Sequence, residues 1–110
     1  MTTLKIYADV IKLIRALRPL VELVGKHDSD LGRQLRRALT SIPLNIAEGA
    51  KLNDGNGRAR FLTSMGSTNE VAAILETSEA LGYVESVGPS VIDELDRIAR
   101  TLNRLARPRR

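Results

Sequence analysis

The chain has 110 residues, a formal net charge of +4 and no cysteine, so it has room for one domain without disulfides or thiolate metal sites. No run approaches the roughly 20 apolar residues of a membrane helix, and Met1 to Lys12 lacks the order of a signal peptide, so we expect a cytoplasmic protein with no membrane partner. Three aromatic residues are too few for the base-stacking platforms of OB-type or RRM-type single-strand binders.

The first predicted helix spans residues 4–25. Its apolar seam has spacings of three and four residues and consists of Tyr7, Val10, Ile14, Leu17, Val21 and Val24. A second apolar series lies beside this seam and consists of Ile6, Leu13 and Leu20. We expect another surface to cover this second series, which favours self-association. Pro19 lies inside the register and predicts a kink, and Gly25 to Asp28 is the predicted turn.

The second predicted helix spans residues 30–52 and begins at the capping cluster Asp28-Ser29-Asp30. Its inner positions are Leu31, Leu35, Ala38, Ile42 and Ile46. A polar stripe adjoins them at helical spacing and consists of Gln34, Arg37, Ser41, Asn45 and Glu48. Pro43 leaves the Leu39 carbonyl without its usual helical donor.

The polar stripe has two interpretations that the sequence leaves open. In the first, Ser41 or Asn45 satisfies the freed carbonyl, and Glu48 pairs with Arg37 or Lys51 at the surface. In the second, the stripe contacts another subunit or a partner.

The second half of the chain predicts two more helices after an Asn53–Gly57 loop. Helix 3 spans residues 58–81 and ends at Gly82; its inner positions are Phe61, Met65, Thr68, Ala72 and Leu75. Helix 4 spans residues 90–107 and ends at Pro108; its inner positions are Val91 or Ile92, Leu95, Ile98, Leu102 and Leu105. Four amphipathic helices with short turns predict an all-α, antiparallel, up-down-up-down four-helix bundle that forms a single domain over residues 1–110.

The sequence offers no catalytic constellation. Its one histidine, His27, lies in a predicted turn and is interpreted as a solvated residue. A di-metal carboxylate site needs Glu-x-x-His pairs on facing helices, and no phosphate-binding glycine loop is present. We therefore expect a protein that is not an enzyme and that holds neither a metal nor a cofactor.

Three segments carry a resemblance to a known family. The run from Asp30 to Gly49, DLGRQLRRALTSIPLNIAEG, resembles the signature of proteins encoded by intervening sequences in bacterial large-subunit ribosomal RNA genes. Gly66-Ser67-Thr68-Asn69-Glu70 is similar to the family's Gly-Ser-x-x-Glu on helix 3, and Leu81-Gly82-Tyr83-Val84 to its exit from that helix. The chain departs from the family at Ala50-Lys51-Leu52, where an aromatic and a basic residue are usual.

The resemblance covers nearly the whole chain and implies a four-helix bundle that assembles into a ring-like homo-oligomer, usually a pentamer. It also implies a relationship to the accessory variability determinant proteins of diversity-generating retroelements, which bind a reverse transcriptase and nucleic acid. The motif positions that it assigns to structure or subunit contact are Gln34, Ser41, Pro43, Asn45, Glu48, Gly49, Gly66, Ser67 and Glu70.

Arginine makes up thirteen of the seventeen basic residues and is the side chain whose planar fork suits phosphate and carboxylate. The candidate binding arginines are Arg33, Arg36 and Arg37 on helix 2 and Arg97, Arg100, Arg104, Arg107, Arg109 and Arg110 at the end of the chain. In a purely structural interpretation, Asp93 and Asp96 pair with Arg97 and Arg100.

The leading hypothesis is a non-catalytic, homo-oligomeric scaffold that binds RNA, single-stranded DNA or a ribonucleoprotein. The alternative is an adaptor that docks on an acidic partner, such as a retroelement reverse transcriptase.

Overall fold

The computed structural model describes residues 3–52 and 54–108, and these ranges contain helices and no strand. The helices are α1 (Thr3–His27), α2 (Ser29–Lys51), α3 (Gly55–Ala80) and α4 (Pro89–Leu105). Consecutive helices pack against one another and α1 also contacts α4, in a body of 46 × 24 × 19 Å. The predicted all-α class is confirmed, and the packing is consistent with an up-down-up-down bundle. No helix in this part of the chain is long and apolar enough to cross a membrane.

The connection between α1 and α2 is a single residue. Asp28 adopts an extended backbone, and its carboxylate accepts a hydrogen bond of 3.0 Å from the Leu31 amide. The prediction that the turn begins at Gly25 is wrong, because α1 continues to His27. This tight reversal brings the two helices together, so that a Cβ built on Gly32 would lie 2.5 Å from the Gly25 Cα.

The predicted loop before α3 is also shorter in the structure. Asn53 lies outside the described residues, Asp54 is the N-cap, and Gly55 begins the helix three residues earlier than predicted. The Asp54 carboxylate accepts hydrogen bonds from the amides of Asn56 and Gly57. Gly57 fits this first turn because a Cβ there would meet the Leu52 carbonyl oxygen at 2.5 Å.

Glycines with positive φ mark both ends of the connection between α3 and α4. Gly82 has φ of 80°, and the Tyr83 amide closes the end of α3 on the Ser78 carbonyl at 2.9 Å. Gly88 has φ of 87° and precedes Pro89, the first residue of α4. This helix ends at Leu105, two residues before its predicted end.

The core runs the length of the bundle and draws on every helix. Its largest fully buried side chains are Ile6, Val10, Leu17, Val24, Leu35, Ile42, Ile46, Val71, Leu75, Leu95, Ile98 and Leu102. The predicted inner positions of α2 and α4 all lie in this core or against it. In α3, two unpredicted serines, Ser64 and Ser78, are also completely buried.

α1 buries part of the predicted seam together with part of the second series: Val10, Leu17 and Val24 lie in the core, and so do Ile6 and Leu13. Ile6 and Leu13, from the second series, are 0% and 7% exposed, whereas Tyr7 is 38% exposed. Ile14 and Val21, from the predicted seam, are only half-buried. The expectation that another surface must cover Ile6 and Leu13 is therefore wrong, because α1 turns this edge toward the bundle centre. The apolar positions of the two series that are left partly uncovered are Tyr7, Ile14, Leu20 and Val21.

Candidate nucleic-acid interface

Two residues of the polar stripe lie at the contact between α2 and α3, and the other three are exposed to solvent. Ser41 and Asn45 are half-buried where α2 meets α3. The Asn45 amide donates to the Ser41 carbonyl at 2.9 Å and to its hydroxyl at 3.0 Å. The Ser67 hydroxyl of α3 donates to the Ser41 hydroxyl at 2.7 Å. Motif residues from two segments are thus hydrogen-bonded within one chain, while Gln34 and Arg37 stay exposed.

The outer end of the polar stripe forms a surface ion pair. Glu48 and Lys51 are both exposed and lie 3.9 Å apart, one of the two pairings that the sequence predicts. The Asn45 side chain bonds to Ser41, not to the Leu39 carbonyl that Pro43 frees. A hydroxyl that the sequence did not single out adds to this seam, because Ser64 donates to the Ile42 carbonyl at 2.9 Å.

The motif glycines differ in what surrounds them. Gly49 is buried, and a Cβ there would meet the Phe61 ring at 2.7 Å. Packing within the chain therefore leaves no room for a side chain at this position. Gly66 is exposed, and a Cβ there would meet nothing within 4 Å. Pro43 is buried, and Glu70 is exposed on the same outer side of α3 as Gly66. Packing within the chain therefore explains Gly49 but not Gly66.

The structure separates the candidate arginines into two groups. Arg33, Arg36 and Arg37 lie in the first half of α2. Arg107 lines a cleft beside Gly49, in the last turn of α2. Because twelve residues of helix span about 18 Å, Arg37 and Arg107 are on different levels of the bundle. The two groups do not form one continuous face.

Arg97 is half-buried between α1 and α4 and is engaged by carboxylates of both helices, so it is not a free binding group. Its guanidinium donates to Glu94 at 2.7 and 2.9 Å and to Asp9 of α1 at 2.8 Å. The pKa of Arg97 is raised by its bond to Glu94 and, in the same direction, by Asp9, against the opposing effect of burial. The predicted pairing of Arg97 with Asp93 is thus wrong, whereas Arg100 does pair with Asp96 at 3.1 Å.

The bond from Lys5 holds the pKa of Asp9 below its usual value; burial opposes this shift, and Arg97 reinforces it. A carboxyl with a depressed folded pKa stabilises the fold above its unfolded pKa, and this contribution is lost as pH falls through the folded value. We therefore expect Asp9→Asn to cost about 1–2 kcal/mol near neutral pH. The parent should lose this advantage below about pH 4, so that the urea-unfolding curves of parent and variant converge there.

Asp93→Asn is the matched control for this experiment, because Asp93 is exposed at the start of the same helix as Arg97. It should leave both the stability and its pH profile near those of the parent. A constant difference between the parent and Asp9→Asn from neutral to acid pH would contradict a role for the Asp9 charge.

A second group of arginines lies at the end of the bundle where α3 begins and α4 ends; two of them, Arg58 and Arg107, share a cleft, whereas Arg60 donates a hydrogen bond of 3.5 Å to the Asn45 side chain of α2. We call this group the basic end; it consists of Arg58, Arg60, Arg104 and Arg107. Arg58 and Arg107 line a cleft of about 440 Å³ whose walls also include Asp54 and Phe61. None of these four arginines makes an ion pair with the described carboxylates.

Two members of the basic end, Arg58 and Arg60, were not predicted from the sequence as binding residues. They stand at the start of helix 3, and the signal that could have identified them is the antiparallel order that places this start beside the end of helix 4. Arg109 and Arg110, which the sequence assigns to the same surface, lie outside the described residues. Arg33, at the other end, pairs with Asp30.

His27 lies at the opposite end of the bundle. It is exposed, forms the last residue of α1, and stacks on Tyr83 with ring centroids 5.4 Å apart. Within residues 3–52 and 54–108, no three His, Asp or Glu side chains are grouped in a way that could hold a metal ion.

Comparison with known proteins identifies one similar family. The sequence model of the family described as 23S rRNA-intervening sequence protein matches residues 2–104, nearly the whole chain. No curated protein and no solved structure matches the chain.

Proposed function

Since the chain belongs to the 23S rRNA-intervening sequence protein family, we propose that it is a non-catalytic scaffold that binds RNA through its basic end and assembles with copies of itself. The family's description connects its members with ribosomal RNA. This connection favours RNA over other polyanions as the ligand.

The observation that carries the proposal is the basic end. Arg58 and Arg107 face a common cleft, and the guanidinium fork of arginine matches the geometry of phosphate oxygens. Arg60 of α3 and Arg104 of α4 add positive charge at the same end of the bundle. Since phosphate contacts carry no sequence information, we expect binding that is sensitive to salt and only weakly dependent on base sequence.

Self-association would raise the affinity of this small site. A single basic end offers few phosphate contacts, whereas several copies on one RNA act at a high effective concentration. Large apolar side chains exposed on the outside of the bundle support such assembly; they are Tyr7, Leu23, Leu44, Leu52, Leu62 and Leu81. The family resemblance favours a ring of five copies.

The test is the salt dependence of binding to a single-stranded RNA, measured by fluorescence anisotropy. In a triple variant, Arg58, Arg104 and Arg107 are replaced by glutamine. We expect the slope of log affinity against log salt to flatten by about 0.7 for each phosphate that the variant no longer neutralises in each engaged subunit. The matched control replaces Arg15, Arg33 and Arg37 by glutamine; it removes the same charge from other exposed positions and should keep most of the slope.

Two results would overturn parts of this proposal. A parent protein that binds no RNA at low salt would exclude the RNA scaffold, and an adaptor docked on an acidic protein would then take its place. Equal flattening in the triple variant and its control would show that the basic end is not the binding site.

A further inference from the structure

A groove between α1 and α2 has an apolar floor and charged edges that carry two arginines and one glutamate. Its volume is about 360 Å³, and its apolar lining comes from Ile14, Val21 and Leu39. Arg18, Glu22, Arg36 and Thr40 also line it. Neither arginine makes an ion pair with the described carboxylates, and the two arginines outweigh Glu22 in charge. An apolar floor offers nothing to a phosphate backbone, so the groove suits a protein surface with apolar and acidic groups.

The outer face of α3 has the complementary character. Between Phe61 and Ala80 the helix carries three acids and no base. Its exposed residues include the small or apolar side chains Leu62, Gly66, Ala73 and Ala80. Leu62 is 46% exposed, and the space beside Gly66 is open. A neighbouring surface could therefore approach the backbone of α3 closely at Gly66.

The exposed Gly66 has no explanation within the chain. Glycine in the middle of a helix costs about 0.5–1 kcal/mol relative to alanine, and here alanine would meet no obstacle. A second surface that approached the helix backbone closely would favour a glycine at this position. Glu70 lies one turn further along the same face and brings a negative charge to it.

The groove and the outer face of α3 lie at the same level of the bundle. The hydrogen bond between Ser67 and Ser41 fixes the antiparallel register of α2 and α3. Arg36 precedes Ser41 by five residues and Glu70 follows Ser67 by three, so their levels differ by about 3 Å. Arg18 borders the same groove as Arg36. Two copies side by side, with parallel axes, would place Glu70 of one opposite these two arginines of the other.

We propose that the groove between α1 and α2 of one copy receives the outer face of α3 of a second copy, with Glu70 between Arg18 and Arg36. This inference rests on the self-association in the proposed function and assigns its interface. The two surfaces differ, so the contact is heterologous and repeats from copy to copy. Because successive copies need no shift along their axes, the contact is compatible with a closed ring.

The test reverses the charges of Arg36 and Glu70, singly and together. Light scattering on a sizing column measures the mass of the assembly for each variant. Arg36→Glu places like charges opposite Glu70, and Glu70→Arg places like charges opposite Arg18 and Arg36. We expect each single variant to raise the dissociation constant of the assembly by at least about tenfold. The double variant restores opposite charges at position 36 and keeps like charges at Arg18, so it should assemble better than Glu70→Arg alone without reaching the parent.

Two further variants separate the interface from general charge effects. Arg37→Glu makes the same charge change on α2 at an exposed position outside the groove, and it should assemble like the parent. Gly66→Leu keeps the charge and blocks the close approach, so it should dissociate the assembly while the monomer still folds, because the added side chain points into open space. Circular dichroism verifies helicity in every variant.

The outcomes distinguish the interface from self-association itself. A parent protein with the mass of one chain across micromolar concentrations would overturn both, and the groove would then be a candidate for a foreign acidic helix. A parent that assembles, with Arg36→Glu, Glu70→Arg and Gly66→Leu all retaining its mass, would overturn this interface alone. A double variant that assembles no better than Glu70→Arg alone would overturn the pairing of Glu70 with Arg36.

Discussion

Replacing Ile46 by alanine should lower the free energy of unfolding by about 2–5 kcal/mol, the usual range for truncating a buried aliphatic side chain. The Ile46 side chain is completely buried in the core that joins the helices. Its removal reduces apolar burial and leaves a cavity, because surrounding helices relax only partly into the space. Urea unfolding followed by circular dichroism, at one protein concentration, measures the difference.

Leu44 is the matched control for this prediction. It stands two residues before Ile46 on the same helix, but it is 60% exposed. Leu44→Ala should change stability by no more than about 0.5 kcal/mol in the monomer. If the leucine and isoleucine truncations cost the same, the assignment of the buried face of α2 would be wrong.

Gly32→Ala is expected to destabilise the protein by about 1–3 kcal/mol, as overpacking of a close contact does. The added Cβ would lie 2.5 Å from the Gly25 Cα and 3.1 Å from the Gly25 amide nitrogen. Both obstacles are backbone atoms of α1, so a rotamer change cannot relieve the clash. The two helices would have to separate at the end where only Asp28 connects them.

Gly25→Ala provides a reciprocal control at the same crossing. The nearest atom to its added Cβ is the end of the Arg36 side chain, at 3.4 Å, which can move. Alanine in a helix is also favoured over glycine, so this variant should be neutral or stabilising by up to about 1 kcal/mol. Thermal unfolding measures both variants. An equal decrease in melting temperature for Gly25→Ala and Gly32→Ala would contradict the difference between the two glycines.

The sequence by itself determined the four helices and the buried faces of α2 and α4. The apolar residues of each helix form a single stripe, and a single stripe identifies the face that packs against the core. Caps such as Asp28 and stops such as Gly82 act through local hydrogen bonds and backbone freedom, so they too are readable from the chain. The family resemblance was likewise carried by short local segments.

Only the tertiary structure decided which edge of α1 faces the core. Its two apolar series run side by side and together form a wide stripe, so the part of the stripe that faces the core depends on where α2 and α4 pack against it. The partner of Arg97 was hidden for a similar reason, because Asp9 lies 88 residues away in the sequence. Charge spacing along α4 predicts only partners within that helix.

The candidate binding surface shows the same division. The composition indicated an arginine-rich protein suited to binding phosphate groups, but it did not show which arginines lie close together. Antiparallel packing places the first half of α2 and the end of α4 at different levels, and it brings Arg58 beside Arg107. The axial position of a side chain depends on the register between helices. Contacts between distant segments set that register, so it cannot be read from the periodicity of any one of them.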